Sequence, residues 1–189
     1  MARIVVLRHA EAQSKETVPT NISRGLTSLG CQQARRIGEV LRKVHHFIPD
    51  LVVVSDAIRT AQTASLITGG FVDTLKFPEL RLMGLHEYGV VNAIVETHPD
   101  APFVELLARD AGNFWVRHAT MVVNHLHDAI TEKNAHQILA VGHHHYLNPI
   151  GLRLWGRDHP LFLGPLFKHA EGFMIDEGGS VTAVSLDSP

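Results

Sequence analysis

The chain has 189 residues, 45% of them hydrophobic and 19% charged, which suits one globular domain over 1–189 with a substantial core and excludes a disordered chain. A formal net charge of −2 gives no general attraction to nucleic acid or acidic membrane, so neither is expected as a partner and an anion site must be built locally. No apolar run approaches the ~20 residues that span a bilayer, Arg3 and Arg8 break the apolar start before it could serve as a signal peptide, and the lone Cys31 cannot pair internally, all of which fits a cytoplasmic protein.

Ile4–Leu7 is a short unbroken apolar run, the mark of a strand buried on both faces, and it stops at Arg8 and His9. "LTSLGCQQARRIGEVLRKV" reads as a helix with Thr27 as N-cap and Leu29, Ala34, Ile37, Val40, Leu41 and Val44 near one face. Pro49 and Asp50 separate it from "LVVVS", a second buried strand, and "DAIRTAQTASLI" follows as a helix stopped by Gly69 and Gly70. "FVDTLKF" is a third strand, closed by Pro78. Between Glu79 and Pro102, Gly84, Gly89, Pro99 and Pro102 punctuate the chain, so loops with at most one short helix are expected.

Phe103 to Ile130 is mostly helical in pattern, with a break at Gly112-Asn113; "QILAVG" is a strand and "HYLNPIGLRLWG" a short helix despite Pro149. "GFMIDEGGSVTAVSL" reads as a hairpin turning at Glu177, Gly178 and Gly179. The order predicts an α/β protein, a three-layer α/β/α sandwich around a mainly parallel sheet. In such sheets ligands bind beyond the carboxyl ends of the strands.

Three strand ends carry the same kind of residue. Arg8 and His9 follow the first strand, Ser55 and then Arg59 the second, and Gly142 and His143 the "QILAV" strand. Two arginines and two histidines on one rim suit a compact dianion such as a phosphoryl group, whose oxygens match the planar fork of arginine.

"LRHAEA", "LTSLGCQQA", "SDAIRTAQTA" and "VGHHH", in that order from residue 4 to about 145, resemble the histidine phosphatase superfamily, the phosphoglycerate mutase-like proteins. The resemblance implies the fold of that group and a reaction needing no cofactor. It makes His9 the nucleophile that becomes phosphorylated, with Arg8, Arg59 and His143 binding the phosphoryl oxygens, His143 best as a charged donor. Neighbouring arginines would hold His9 in the neutral form a nucleophile needs. The family's proton donor to the leaving group is a carboxylic acid after the third strand; Glu87 in "RLMGLHEYG" is the expected one and Glu79 in "FPEL" its competitor. Ala10 stands where the family usually has glycine, Lys15 near the place of a usual asparagine, and "HHY" after Gly142-His143 puts bulk beside the pocket; Ser14, Lys15 and Asn21 are possible substrate contacts.

At this length the phosphatase branch is expected over the longer mutases, and the "LTSLG" loop and "FPEL" segment look most like the small phosphohistidine phosphatases. The substrate would be a phosphorylated small molecule or phosphoprotein. Mutase-type phosphoryl transfer and a phospho-ligand-binding module with weak catalysis are the alternatives. "GHHHY" could suggest zinc, but three consecutive residues on a turn point apart with no carboxylate or cysteine spaced to join them, so no metal is expected. His118, His125 and His127 are expected at solvent or core-edge positions of a long helix, and His169, which could reach the pocket, is expected outside it. Oligomeric state has no signal in the sequence.

Overall fold

A computed structural model of the protein describes residues 2–187 apart from 19, 71, 81–84, 112 and 157, and the side chains at 85 and 86 are likewise not described. Phe71, Gly84 and Gly112 of the sequence reading therefore lie outside the described residues.

The elements run β1 (Arg3–Arg8), α1 (Ser28–Lys43), β2 (Leu51–Val54), α2 (Ile58–Thr68), β3 (Asp73–Lys76), α3 (Leu85–Thr97), α4 (Phe103–Arg109), α5 (Phe114–Lys133), β4 (Gln137–Gly142), α6 (Leu147–Trp155), α7 (Pro160–Leu163), β5 (Gly172–Ile175) and β6 (Val181–Val184), with 3-10 turns at Lys15–Thr17 and Pro78–Leu80. The six strands form one sheet in the order β3-β2-β4-β1-β5-β6. β1, β2, β3 and β4 pair in parallel, while β5 and β6 close one side as the expected antiparallel hairpin.

Side chains alternate across the central strands, and each face has its own core. Val5, Leu7, Val52, Val54, Leu139 and Val141 pack under Ala34, Ile37, Val40 and Leu41 of α1 and Ala64 and Ile67 of α2. Ile4, Val6, Leu51, Val53, Ile138 and Ala140 face the other way, against Val91, Phe103, Trp115, Leu147 and Phe162 of α3 to α7. The layers are thus those expected, because apolar runs too continuous to alternate with polar residues must be covered on both sides.

Helix ends follow local chemistry. Thr27 Oγ1 accepts from Gly30 N–H at 3.0 Å and caps α1, and Gly69, at φ 77°, ends α2 in the left-handed conformation glycine adopts freely. Pro149 is the third residue of α6, within the first turn, where an amide has no intrahelical partner to lose. The break between α4 and α5 lies at Asp110–Asn113: Asn113 is left-handed, and Asp110 Oδ2 accepts from Trp115 N–H at 2.8 Å. The segment after Pro78 is more helical than the punctuation suggested, since α3 spans 13 residues. Val91 and Val95, four apart and both buried, anchor it, and Gly89 is tolerated within it with open space around its Cα. The one-turn α7 carried no periodic signal.

Candidate active site

The parallel register delivers the strand ends together. Arg8 pairs with Gly142 and Val54 with Val141, and His9 N–H extends the ladder by donating to Gly142 O at 3.0 Å. His9 and His143 therefore stand one residue past the same rung, their ring centroids 5.0 Å apart. Arg59, in the first turn of α2 and only 3% exposed, reaches both. Its Nε donates to His9 Nε2 at 3.1 Å and its Nη2 to His143 Nδ1 at 3.2 Å. Its Nη1 donates to the carbonyl of Asn21.

These contacts define the protons. His9 Nδ1 lies 2.7 Å from the carbonyl of Ala10, which can only accept, so Nδ1 carries the hydrogen and Nε2 presents its lone pair. Burial above all, then Arg59, Arg8 and His169, holds His9 well below the ordinary histidine pKa, against the raising effect of the Ala10 bond. A guanidinium only donates, so the Arg59 contact takes the Nδ1 lone pair of His143 and leaves its Nε2–H for Ser55 Oγ, at 2.8 Å. The charged His143 expected from the sequence does not fit this pairing. Ser55 is held in turn by Thr60, at 3.0 Å between hydroxyls.

Arg8 reaches the pocket from the other side. Its Nη1 donates to Phe167 O and its Nη2 to His169 Nε2, both at 3.0 Å. Burial lowers its pKa to about 10, against the raising influence of Glu171. Burial and then Arg8 push His144 down to about 3 and His145 and His169 to about 4. The charge of the pocket thus sits on two guanidiniums among neutral imidazoles.

Ala10 is buried, donates its N–H to Thr63 Oγ1 at 3.1 Å, and has no positive φ, so alanine fits where glycine was the expected residue. Glu87 stands half-buried in the first turn of α3, outside the hydrogen-bond set just described. Glu79 has a carboxylate oxygen 3.7 Å from His125 Nδ1 of α5. The turn carrying it covers the end of β4, with Leu80 O 3.6 Å from where a Gly142 Cβ would stand. Lys15 and Ser14 lie exposed in the loop after β1. Asn21 contributes its backbone carbonyl, while its side-chain oxygen accepts from Arg24 at 3.2 Å.

His169 corrects the sequence reading: it belongs to the pocket, its ring 5.5 Å from that of His9. The sequence reading named all three of His169, Asn21 and Ser55, but not their roles: His169 as an acceptor for Arg8, Asn21 through its carbonyl and Ser55 as the partner of His143. His118, in α5, is buried with its ring 4.7 Å from that of Tyr146. Among the described residues no group of three or more His, Cys, Asp or Glu side chains is arranged to hold a metal ion, and no helix is long and apolar enough to cross a membrane.

The family model of the histidine phosphatase superfamily (branch 1) matches residues 4–165. No curated relative matches the chain by sequence. Among solved structures, one assigned as the phosphohistidine phosphatase SixA of Agrobacterium tumefaciens is 19% identical with a TM-score of 0.64, covering 100% of this chain and 99% of its own. A phosphoserine phosphatase of Entamoeba histolytica, solved as a mutant in complex with phosphoserine, is 15% identical with a TM-score of 0.63 over 99% of this chain and 98% of its own. A phosphoglycerate mutase of Bacillus anthracis is 14% identical with a TM-score of 0.65 over 97% and 92%. At these identities the likeness is one of fold.

Proposed function

Since the chain belongs to the histidine phosphatase superfamily, we propose that it is a phosphohydrolase that works through a covalent phosphohistidine on His9 and without a metal. The observation that carries this reading is the double contact of Arg59 with His9 Nε2 and His143 Nδ1, which gathers a neutral nucleophile and an anion-binding guanidinium at one point.

In the first step the Nε2 lone pair of His9 attacks phosphorus. The ester bond breaks towards the leaving oxygen, which takes a proton; Glu87 is the residue proposed to give it, and Glu79 its competitor. As the phosphoryl group arrives, Arg59 turns its Nε–H from His9 to an equatorial oxygen, Arg8 donates to another, and His143 binds a third by turning its Nε2–H to it from Ser55 Oγ. Donors fixed in advance around these oxygens are the main device for phosphoryl transfer. In the second step water attacks phosphorus, its proton passes to the carboxylate that gave one up, the N–P bond breaks and inorganic phosphate leaves. The substrate is proposed to be a phosphorylated small molecule or a phosphoprotein.

Incubation with a labelled phosphoryl donor should leave an acid-labile, base-stable adduct on the protein. His9→Ala should abolish adduct and turnover, and either one surviving would refute the mechanism. Chelator should leave turnover unchanged; loss restored by added metal would refute the metal-free reading. Release of inorganic phosphate, rather than an isomeric phosphate ester from a phosphoglycerate, separates this reaction from mutase-type transfer.

A further inference from the structure

His169 lies in a turn far from β1 in sequence, yet the chain around it grips the end of β1 at four points. Arg8 N–H donates to Glu171 O at 2.9 Å, Ala170 N–H to His9 O at 3.4 Å, and the Arg8 guanidinium reaches both Phe167 O and His169 Nε2. Ala170 adopts φ 57°, a left-handed conformation that costs a residue with a Cβ on the order of 1 kcal/mol. A cost of that kind persists where the surroundings impose it. Gly172 then seats β5 against β1 so closely that a Cβ would stand 1.9 Å from Val6 O. This strained turn aims the His169 ring between Arg8 and His9.

Resting on the phosphate-pocket reading above, we propose that His169 is a positioning residue for Arg8: its Nε2 accepts the Nη2–H and fixes the plane of the guanidinium beside His9. With Nη1 on Phe167 O, the two acceptors hold both arms of the fork, and Arg8 Nε, buried without a hydrogen-bond partner among the described residues, is left for an incoming oxygen. Only neutral His169 can accept from a guanidinium. Burial first, then Arg8 and Arg24, disfavour its charge, with His9 and His144 also beside it and Glu11 opposing them, so it stays neutral down to about pH 4. An anion-binding role of its own, through a charged ring, does not fit that environment.

Tungstate, a tetrahedral oxyanion, tests this by calorimetric titration of the full chain at pH 7, with melting temperatures recorded alongside. His169→Leu should weaken tungstate binding ~10-fold, and His169→Gln, whose side-chain oxygen can accept in place of Nε2, should restore most of it. In an Arg8→Lys background the effect of His169→Leu should shrink to under ~2-fold, because coupled residues are non-additive. Tungstate binding by His169→Leu equal to wild type, a Gln variant as weak as the Leu variant, or an effect undiminished in the Arg8→Lys background would each overturn the proposal. If the Leu variant does not fold, the Gln variant decides: native-like tungstate affinity supports the acceptor role, and a ~10-fold loss overturns it. Failure of the wild-type protein to bind tungstate would instead remove the phosphate pocket itself, and the role of His169 with it.

Discussion

Arg59 donates its Nε–H, at 3.1 Å, to Nε2 of His9, the atom through which that histidine would attack phosphorus. One hydrogen bond thus rewards the neutral imidazole and keeps its lone pair occupied until a phosphoryl oxygen competes for the guanidinium. Arg59→Ala should lower kcat by ~10²–10³ in steady-state assays, the usual cost of losing one preorganised donor. Arg59→Gln should also raise the His9 pKa as followed by NMR. It should stay below 6.5, because burial is the larger cause of the depression. A His9 pKa unmoved in the variant would sink this account of the pair.

Acid should destabilise the protein ahead of any effect on its carboxylates. His144 titrates at about 3, and His145 and His169 at about 4, against an ordinary 6.5, and His9 is also depressed. Between about 4 and 6.5 the unfolded chain binds more protons than the folded one, so stability rises with pH across that window and is lost as pH falls through it. The melting temperature should drop by several degrees between pH 7 and 5, at roughly 2–4 °C per kcal/mol for a chain of this length. His145→Gln should shallow that slope. A melting temperature that holds constant or climbs on acidification contradicts the buried neutral imidazoles.

Leaving-group dependence separates the two candidate acids. Glu87→Gln should slow hydrolysis of an alkyl phosphate by ~10²-fold or more, within the usual range for general acid catalysis, and affect p-nitrophenyl phosphate far less. Glu79→Gln should change neither by more than about 3-fold, because its carboxylate is engaged towards His125 rather than at the strand ends. The opposite pattern would transfer the role to Glu79.

Gly172→Ala should be among the most damaging single changes. The added Cβ would meet Val6 O at 1.9 Å and Leu7 Cα at 2.9 Å, backbone atoms that no rotamer change can move aside. A loss of ~3 kcal/mol or more in chemical denaturation is expected, at the upper end for overpacking. A variant within about 0.5 kcal/mol of wild type would show that β5 and β1 separate more easily than their contact implies.

The central strands and the four strand-end residues were legible because their signals are local. Ile4–Leu7, Leu51–Val54 and Ile138–Val141 are apolar on both faces, and the site residues follow within a few positions of each run's end. α3 was obscured because Gly89 reads as a breaker, whereas Val91 and Val95 decide the matter by burial against a partner that sequence does not reveal. His169 was named as able to reach the pocket but expected outside it, because its place depends on a left-handed alanine, a conformation no side-chain pattern announces. Asn21 acts through its carbonyl, which every residue type shares. The neutral form of His143 could be read only once its two neighbours, Arg59 and Ser55, had positions.

The rung that joins Arg8 to Gly142 separates what this molecule can change from what it must keep. The spacing of the two imidazoles is written into the backbone ladder of adjacent strands, not into any loop. The exposed positions between Pro78 and Pro102 can therefore change, provided Glu87 and the buried Leu80, Val91 and Val95 are kept, while the interval between His9 and His143 holds. Such a scaffold is free to drift in the molecules it accepts and constrained in the bond it breaks.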